Sequence, residues 1–170
     1  MRRLISVLLL LPAALSAVEV ANGSMTDGDA VPTGWEAVWT GDPAMPVTVH
    51  RDILQFASAP ASLRFENLAG ATFGNLSRPL PVTPEIEFQI GAALRIPIGT
   101  ERATFAIQGY DAAGVQTWWQ EVVSVSAGQP DAWVTNSIRT TPPVGTTRAV
   151  MILLVSGKGL AWLDDVTVGK

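Results

Sequence analysis

The segment of residues 116–120 combines aromatic and amide side chains at a spacing that could hold a polar organic ligand. Alternate residues of a strand share a face, so Gln116, Trp118 and Gln120 are predicted on one side. An indole ring offers a flat apolar surface, and an amide both donates and accepts hydrogen bonds. This chemistry suits a neutral sugar, whose C–H face stacks on the ring while its hydroxyls bond to the amides. The predicted carbohydrate-binding face comprises Gln108, Tyr110, Gln116, Trp118 and Gln120.

The assignment of this face depends on a predicted hairpin that turns at residues 111–114. Asp at the first position and Gly at the last favour a type I turn followed by a left-handed glycine. The register that follows pairs Tyr110 with Gln116, Gln108 with Trp118 and Ala106 with Gln120. The alternatives are that a loop covers Trp118, or that Trp118 lies in the core while Trp119 is exposed. A loop longer by one residue would exchange the two faces.

The stretch of residues 159–168 alternates like a half-buried strand but carries two adjacent carboxylates, Asp164 and Asp165. One face is predicted to hold Leu160, Trp162, Val166 and Val168. Neighbouring strand residues point to opposite faces, so one of the two aspartates must lie on the apolar face. A carboxylate there needs hydrogen-bond donors or a cation.

Two pairs of side chains could support catalysis, but each has a simpler explanation. His50 and Asp52 lie two residues apart on a predicted strand, as a base and its orienting carboxylate would. Glu85 and Glu87 share a predicted strand face, as a glycosidase pair would. Strand alternation alone predicts polar residues at such positions, and the sequence has no Gly-x-Ser-x-Gly motif. We therefore predict a protein that is not an enzyme.

The elements that must position these residues are predicted to be strands. With 15 Gly, 12 Pro and only 15% charged residues, the composition indicates a β-rich, turn-rich globule. Apolar residues alternate throughout residues 85–96, with a bend expected near Gly91, and residues 148–155 are nearly all apolar, as in a central strand. About eight to ten strands predict an all-β fold, either a two-sheet antiparallel sandwich or a barrel. Core positions are predicted for Trp35, Trp133 and Trp162, and Trp39 is left unassigned.

Residues 1–17 have the pattern of a secretory signal peptide. Two arginines precede the apolar run of residues 4–11, and small residues follow as far as Ala17. The run is too short to span a bilayer, which takes about 20 residues, and no later segment is long and apolar enough. We predict cleavage near Ala17, a single β-sandwich domain over residues 18–170, and an exported protein that is periplasmic or extracellular.

Charge and cysteine content exclude several kinds of partner. The formal net charge is −4, and removal of the two signal-peptide arginines would lower it by two. A nucleic-acid partner would need a basic stripe, so the sequence excludes one. The chain has no Cys, which rules out disulfides, thiol chemistry and cysteine-based zinc sites. Because no Cys follows the predicted signal peptide, we do not expect a lipoprotein anchor.

Three short motifs are spread along the chain. They are Asn22-Gly23 followed by Gly34-Trp35, then Ser62-Leu63-Arg64-Phe65, then Trp133 with Pro142-Pro143 and the terminal Trp162-Leu163-Asp164-Asp165-Val166. Together they resemble the β-jelly-roll carbohydrate-binding modules, the galactose-binding-like superfamily that includes xylan- and cellulose-binding members. The resemblance implies a two-sheet antiparallel β-sandwich (jelly roll) and a carbohydrate partner.

The resemblance also implies a structural calcium ion. In such modules the N-terminal loop and a carboxylate of the penultimate strand commonly hold it. Calcium accepts six to eight oxygen ligands, backbone carbonyls included, and the candidates here are Asp164 and Asp165 with Asn22 or Asp27. The family usually has an acidic residue where this chain places Thr26. The alternative is a carboxylate that caps the N-terminal strand through hydrogen bonds alone.

These observations predict an exported, non-catalytic, carbohydrate-binding β-sandwich, with the oligomeric state left open. One alternative is a cell-envelope structural or protein-interaction domain, whose exposed aromatic residues would form a flat apolar patch without amides. Another is a jelly-roll glycoside hydrolase or lyase, which would need a cleft with paired carboxylates or a Tyr/His acid–base set.

Overall fold

The structure, a computed structural model, describes residues 20–35, 38–40, 47–68, 73–129 and 131–169. The signal peptide predicted for residues 1–17 lies outside the described residues, so it and the domain boundary stay predictions. The strands of the described part are β1 (Val38–Thr40), β2 (Thr48–Asp52), β3 (Ser62–Asn67), β4 (Phe73–Leu80), β5 (Phe88–Arg95), β6 (Arg102–Tyr110), β7 (Gln116–Ser126), β8 (Val134–Thr140), β9 (Arg148–Ser156) and β10 (Gly159–Gly169).

These strands form two antiparallel sheets of five strands each. The first, named sheet A, has the order β1-β4-β9-β6-β7, and the second, sheet B, has the order β2-β3-β10-β5-β8. Neighbours in both sheets run antiparallel. The predicted all-β, two-sheet antiparallel β-sandwich is therefore confirmed. Across the described ranges, no helix has the length and apolar character that would let it cross a membrane.

The core lies between the sheets and is built from alternate residues of their central strands. On sheet A, the fully buried side chains include Phe105, Ile107, Met151, Leu153 and Val155. On sheet B they include Leu63, Phe65, Ile90, Leu94 and Leu163. Burying each large apolar side chain contributes about 1.5–3 kcal/mol, so this shared layer is the main force that holds the sheets together.

The strand predicted over residues 85–96 is shorter in the structure. Glu85 has φ 63° and Ile86 is half exposed, so the chain is still turning there and β5 begins at Phe88. From Phe88 the predicted alternation is confirmed, with every second residue in the core. The irregularity expected near Gly91 is a β-bulge of the partner strand β10, which falls between Asp164 and Thr167, the residues that pair with Ala93 and Gly91.

Strand β10 changes its alternation part of the way along. Its register with β5 shifts between Asp164 and Thr167, and Asp165 has φ 51°. The core side chains of β10 are Ala161, Leu163, Val166 and Val168. Because the bulge resets the alternation, the predicted face that grouped Leu160 and Trp162 with Val166 and Val168 is wrong. Leu160 and Trp162 precede the bulge and lie on the outer side of sheet B.

The tryptophans outside the hairpin occupy different environments. Trp35 is fully buried in the core, as predicted. Trp162 is buried, but on the outer side of sheet B and outside the core cluster. Trp133 is only partly buried, so its predicted core position is wrong. For Trp39 the structure describes the backbone, which pairs with Asn75.

Candidate functional site

The hairpin between β6 and β7 turns where the sequence predicts. The Asp111 amide donates to the carbonyl of Val115 at 3.0 Å, and the Gly114 amide donates to the carbonyl of Asp111 at 3.1 Å. The Asp111 carboxylate accepts from two further amides of the turn at 2.9 and 2.8 Å. Gly114 has φ 82°, a left-handed conformation that favours glycine. The first pair of the ladder, Tyr110 with Gln116, is the predicted one.

Beyond that pair the predicted register is wrong, because Thr117 forms a β-bulge. Gly109 pairs with Trp118, and Gln108 pairs with Trp119. A Cβ added at Gly109 would lie 3.0 Å from the Cβ of Trp118 and 3.1 Å from its ring. The missing side chain at Gly109 therefore leaves the space that the indole of Trp118 fills.

Trp118 is a core residue. Its side chain is 8% exposed, and its ring meets Phe88 edge to face with the centroids 6.2 Å apart and the planes at 89°, a favourable aromatic geometry. The prediction of an exposed, sugar-stacking Trp118 is therefore wrong. The alternative that places Trp118 in the core and Trp119 at the surface is correct.

Gln120 also leaves the predicted face. It pairs with Ile107, whose side chain belongs to the core, and a second register shift follows at Val122. Directly paired residues share a face of the sheet, so Gln120 lies on the core side of the edge strand β7. Its amide donates to the carbonyl of Glu121 at 3.2 Å.

The outer side of sheet A carries a group of side chains named here the Trp119 platform. Its members are Gln108, Tyr110, Gln116, Trp119 and Glu121. Trp119 is 40% exposed and lies opposite Gln108. The amide nitrogen Nε2 of Gln108 donates to Oε1 of Gln116 at 2.7 Å, so the two amides hold one another beside the ring. Gln108, Tyr110 and Gln116 therefore share the outer side as predicted, with Trp119 in the place given to Trp118.

The charges around the platform are largely paired. Glu121 accepts two hydrogen bonds from Nη2 of Arg102, at 2.8 and 3.1 Å, and both side chains are about half exposed. The guanidinium of Arg148 lies 4.5 Å from the ring centroid of Tyr110, so it covers one face of that ring. An open indole, an amide pair and a paired carboxylate can bind a neutral, hydroxyl-rich ligand.

The acidic doublet of β10 is satisfied by hydrogen-bond donors. Asp164 is fully buried, and its Oδ2 accepts from the amides of Ala57 at 2.9 Å and Ser58 at 3.0 Å. Its Oδ1 accepts from the amide of Asp165 at 2.8 Å, and the carboxylate of Asp165 accepts from the hydroxyl of Ser58. Burial raises the pKa of Asp164 above its usual value, although the amide hydrogen bonds favour its charged form.

Asn22 organises the N-terminal loop, residues 20–35. Its side-chain nitrogen donates to the carbonyls of Asp27 at 2.9 Å and Thr33 at 3.1 Å, and its side-chain oxygen accepts from the Asp27 amide at 2.9 Å. The indole nitrogen of Trp35 donates to the Asn22 carbonyl at 3.1 Å. The amide of Val166 in β10 donates to the Gly23 carbonyl at 2.9 Å. The loop is thereby attached to the C-terminal strand.

The calcium site implied by the resemblance does not fit this arrangement. Asn22, Asp27 and Asp165 line a cleft of about 550 Å³, but the Asn22 oxygen already accepts the Asp27 amide. Asp164 lies apart from this cleft, with both oxygens engaged by amides. Within the residues that the structure describes, no three acidic, His or Cys side chains come together as a metal site. The guanidinium of Arg51 also bonds to two carbonyls of the loop. A structural calcium ion is thus implied by the resemblance alone and not by the arrangement of these side chains.

In each of the two pairs considered for catalysis, one carboxylate is bonded to another side chain. Asp52 accepts from the indole nitrogen of Trp162 at 2.9 Å, whereas Nε2 of half-exposed His50 lies 3.9 Å from Glu66. Burial alone would raise the pKa of Asp52, but the bond from Trp162 and the amides of Leu54 and Gln55 hold it below its usual value. Glu85 lies in a turn, and Glu87 pairs with Arg139 at 3.2 Å.

No protein-family model matches the sequence, and no curated protein matches it. Solved structures do match the fold. The C-terminal family 22 carbohydrate-binding module of Clostridium thermocellum Xyn10B has a TM-score of 0.62 and 16% identity, over 88% of this chain and 94% of that module. The CBM22-1 xylan-binding domain of Paenibacillus barcinonensis Xyn10C has a TM-score of 0.62 and 18% identity, over 83% of this chain and 88% of that domain.

A third similar structure belongs to a larger protein. The enzymatically active domain of tailspike protein 4 from bacteriophage CBA120 has a TM-score of 0.66 and 19% identity, over 88% of this chain and 21% of that chain. This chain thus spans about a fifth of the tailspike chain. At such identities the likeness shows the fold. The chain has the β-sandwich fold of the jelly-roll carbohydrate-binding modules, which confirms the resemblance seen in the sequence.

Proposed function

We propose that this chain is an exported, non-catalytic domain that binds a polysaccharide through the Trp119 platform. The observation that carries the proposal is the exposed indole of Trp119 beside the bonded pair of Gln108 and Gln116. The fold of carbohydrate-binding modules supports a sugar ligand. Calcium has no part in the proposed contact.

The composition of the platform favours a sugar over a protein partner. A protein-binding surface would be expected to surround the indole with further apolar side chains. Trp119 instead lies opposite Gln108, and the neighbouring Glu121 is paired with Arg102. Amides that donate and accept together suit the hydroxyl groups of a sugar, each of which also does both. A neutral polysaccharide is therefore the expected ligand class.

Affinity electrophoresis tests the proposal. Native gels that contain soluble xylan, mixed-linkage β-glucan or galactomannan should retard the wild type in at least one case. Trp119→Ala should weaken that binding about tenfold or more, since a central aromatic side chain commonly contributes over 1.4 kcal/mol to binding. Trp133→Ala is the matched control, because Trp133 is partly buried beside β8 in sheet B. It should migrate like the wild type.

A reducing-end assay on the same polysaccharides separates binding from catalysis. The proposal expects that the wild type releases no reducing ends. If the wild type released them and Glu87→Gln or Trp119→Ala abolished that release, the hydrolase alternative would be favoured. Unchanged wild-type mobility in every gel would count against the proposal as a whole.

The protein-interaction alternative has one observation in its favour, the loop of residues 53–58. Ile53, Leu54 and Phe56 are 59%, 82% and 38% exposed, and large apolar side chains at a loop surface can contact another protein. Leu54→Ser should leave the electrophoretic shift unchanged if the Trp119 platform is the binding site. If Leu54→Ser removed the shift and Trp119→Ala did not, this loop would be the binding surface.

A further inference from the structure

Arg51 in strand β2 bonds to the N-terminal loop at three places. Its Nε–H donates to the carbonyl of Met25 at 3.1 Å, and its Nη2–H donates to the carbonyl of Thr26 at 3.1 Å. Its backbone amide donates to the carbonyl of Ala30 at 2.8 Å. A planar guanidinium can satisfy two neighbouring oxygens at once. The side chain of Arg51 thus holds Met25 and Thr26, and its backbone amide holds Ala30, so that the loop is attached to β2 of sheet B.

The carbonyl oxygens of Met25 and Thr26 both face one positive group, as carbonyl oxygens do when a protein binds a hard cation. Here the positive group belongs to the chain itself. A divalent ion bound to the same carbonyls would lie beside the fixed charge of Arg51 and be repelled by it. The acidic doublet of β10 already has donors within the chain, because Asp164 accepts three amide hydrogen bonds and the carboxylate of Asp165 accepts one from the hydroxyl of Ser58.

We infer that Arg51 does the work of a metal ion in this loop, so that the folded state of this protein does not depend on calcium. Thr26 contributes its carbonyl oxygen to the guanidinium, and its hydroxyl lies 3.5 Å from the Asn22 side-chain oxygen. Asp27 is exposed to solvent. The inference concerns stability and is independent of the proposed sugar binding.

The loop contributes directly to the core, which gives the inference a measurable consequence. Met25, whose carbonyl Arg51 holds, and Trp35, at the C-terminal end of the loop, are both fully buried in the core. The guanidinium of Arg78 lies 4.9 Å from the ring centroid of Trp35. Release of the loop from Arg51 would therefore loosen two of the large side chains that close this end of the sandwich.

The melting temperature of the wild type, measured by circular dichroism in EDTA and in 10 mM CaCl₂ at matched ionic strength, tests whether the folded state is independent of calcium. We expect the two values to agree within about 1 °C. A calcium ion bound with a Kd of about 10⁻³ M would raise the melting temperature by roughly 3–6 °C under these conditions. A rise of that size in calcium, or a fall in EDTA, would overturn the inference.

Substitution of Arg51 tests whether this side chain holds the loop. Arg51→Met keeps the aliphatic stem but removes the charge and both donors, and it should lower the melting temperature by roughly 4–8 °C. Arg51→Lys should recover part of this loss, since an ammonium group can still reach one carbonyl. The matched control is Arg139→Met, which removes an exposed pair with Glu87 and should shift the melting temperature by less than about 1 °C.

Hydrogen exchange separates a local role from general destabilisation. In Arg51→Met the amides of Gly23, Thr33 and Trp35, all bonded within the loop, should exchange faster, while amides of the central strand β9 keep their protection. If Arg51→Met kept the wild-type melting temperature and loop protection, the inference would be wrong. If that variant failed to fold, the comparison of Arg51→Lys with wild type and the wild-type calcium measurement would still decide it.

Discussion

Two tryptophans lie on the outer faces of the two sheets, and they differ in what covers them. Trp119 on sheet A is 40% exposed, whereas Trp162 on sheet B is 7% exposed. The indole nitrogen of Trp162 donates to Asp52 at 2.9 Å, and the guanidinium of Arg95 lies 5.2 Å from its ring centroid. Asp164 holds the adjacent loop, residues 53–58, through two amides.

The comparison shows how one kind of position yields two roles. On sheet B, the buried Asp164 and the partly buried Asp52 bind the loop backbone and an arginine stacks on the ring, so that Trp162 becomes a structural residue. On sheet A, Trp119 lies on the edge strand β7, opposite a side chain that is itself polar. An aromatic residue on an outer face becomes a candidate binding residue when the chain leaves it uncovered.

The largest expected difference is in stability. Trp162→Ala should lower the free energy of unfolding by about 3–5 kcal/mol, because it removes a large buried side chain and its bond to Asp52. Trp119→Ala should lower it by about 1 kcal/mol or less. Urea denaturation followed by circular dichroism measures both, and equal losses would show that the two indoles are equally covered in solution.

Removal of the carboxylate that holds the covering loop should have the next largest effect. Asp164→Ala leaves the partly buried amides of Ala57 and Ser58 without their acceptor, which should cost about 2–4 kcal/mol of unfolding free energy. Acrylamide should also quench the tryptophan fluorescence more strongly, because the loop that covers the indole of Trp162 loosens. A stable variant with unchanged quenching would show that Asp164 does not hold the loop.

The pH dependence of stability should carry the sign of the Asp164 shift. Since the pKa of Asp164 is raised in the folded state, the folded state binds this proton more tightly than the unfolded state does. Its contribution to stability therefore falls as pH rises from about 4 through the folded-state pKa. The free energy of unfolding of the wild type minus that of Asp164→Asn should decrease over this range. An increase would mean that the amide hydrogen bonds outweigh burial.

The smallest expected effect concerns Tyr110, whose ring is covered by Arg148. If only its hydroxyl is available to a sugar, Tyr110→Phe and Tyr110→Ala should weaken polysaccharide binding by the same factor, about twofold to tenfold. Trp119→Ala should have a larger effect than either. Isothermal titration with an oligosaccharide measures all three, and a much greater loss for Tyr110→Ala would show that the covered ring also stacks.

The strand pattern could be predicted from the sequence because side-chain alternation has a period of two. The core residues of β5 and the central position of β9 follow from that pattern, and the turn at Asp111 and Gly114 follows from backbone preferences. The choice between Trp118 and Trp119 did not follow. The glycine at position 109 was the one available signal, since a residue without a side chain opposite a large ring allows that ring to pack over it.

The amino-acid sequence by itself determined the class of fold and the kinds of side chain available for binding, because these depend on local periodicity and composition. The tertiary structure alone decided which side chains face solvent. Single inserted residues at Thr117, Val122 and Asp165 shift the register of the ladder or reset its alternation, and each shift transfers later side chains to the opposite face. The donors for Asp164 are likewise the amides of Ala57 and Ser58, which precede it in the sequence by 107 and 106 positions. Only the folded chain brings groups so far apart in sequence together.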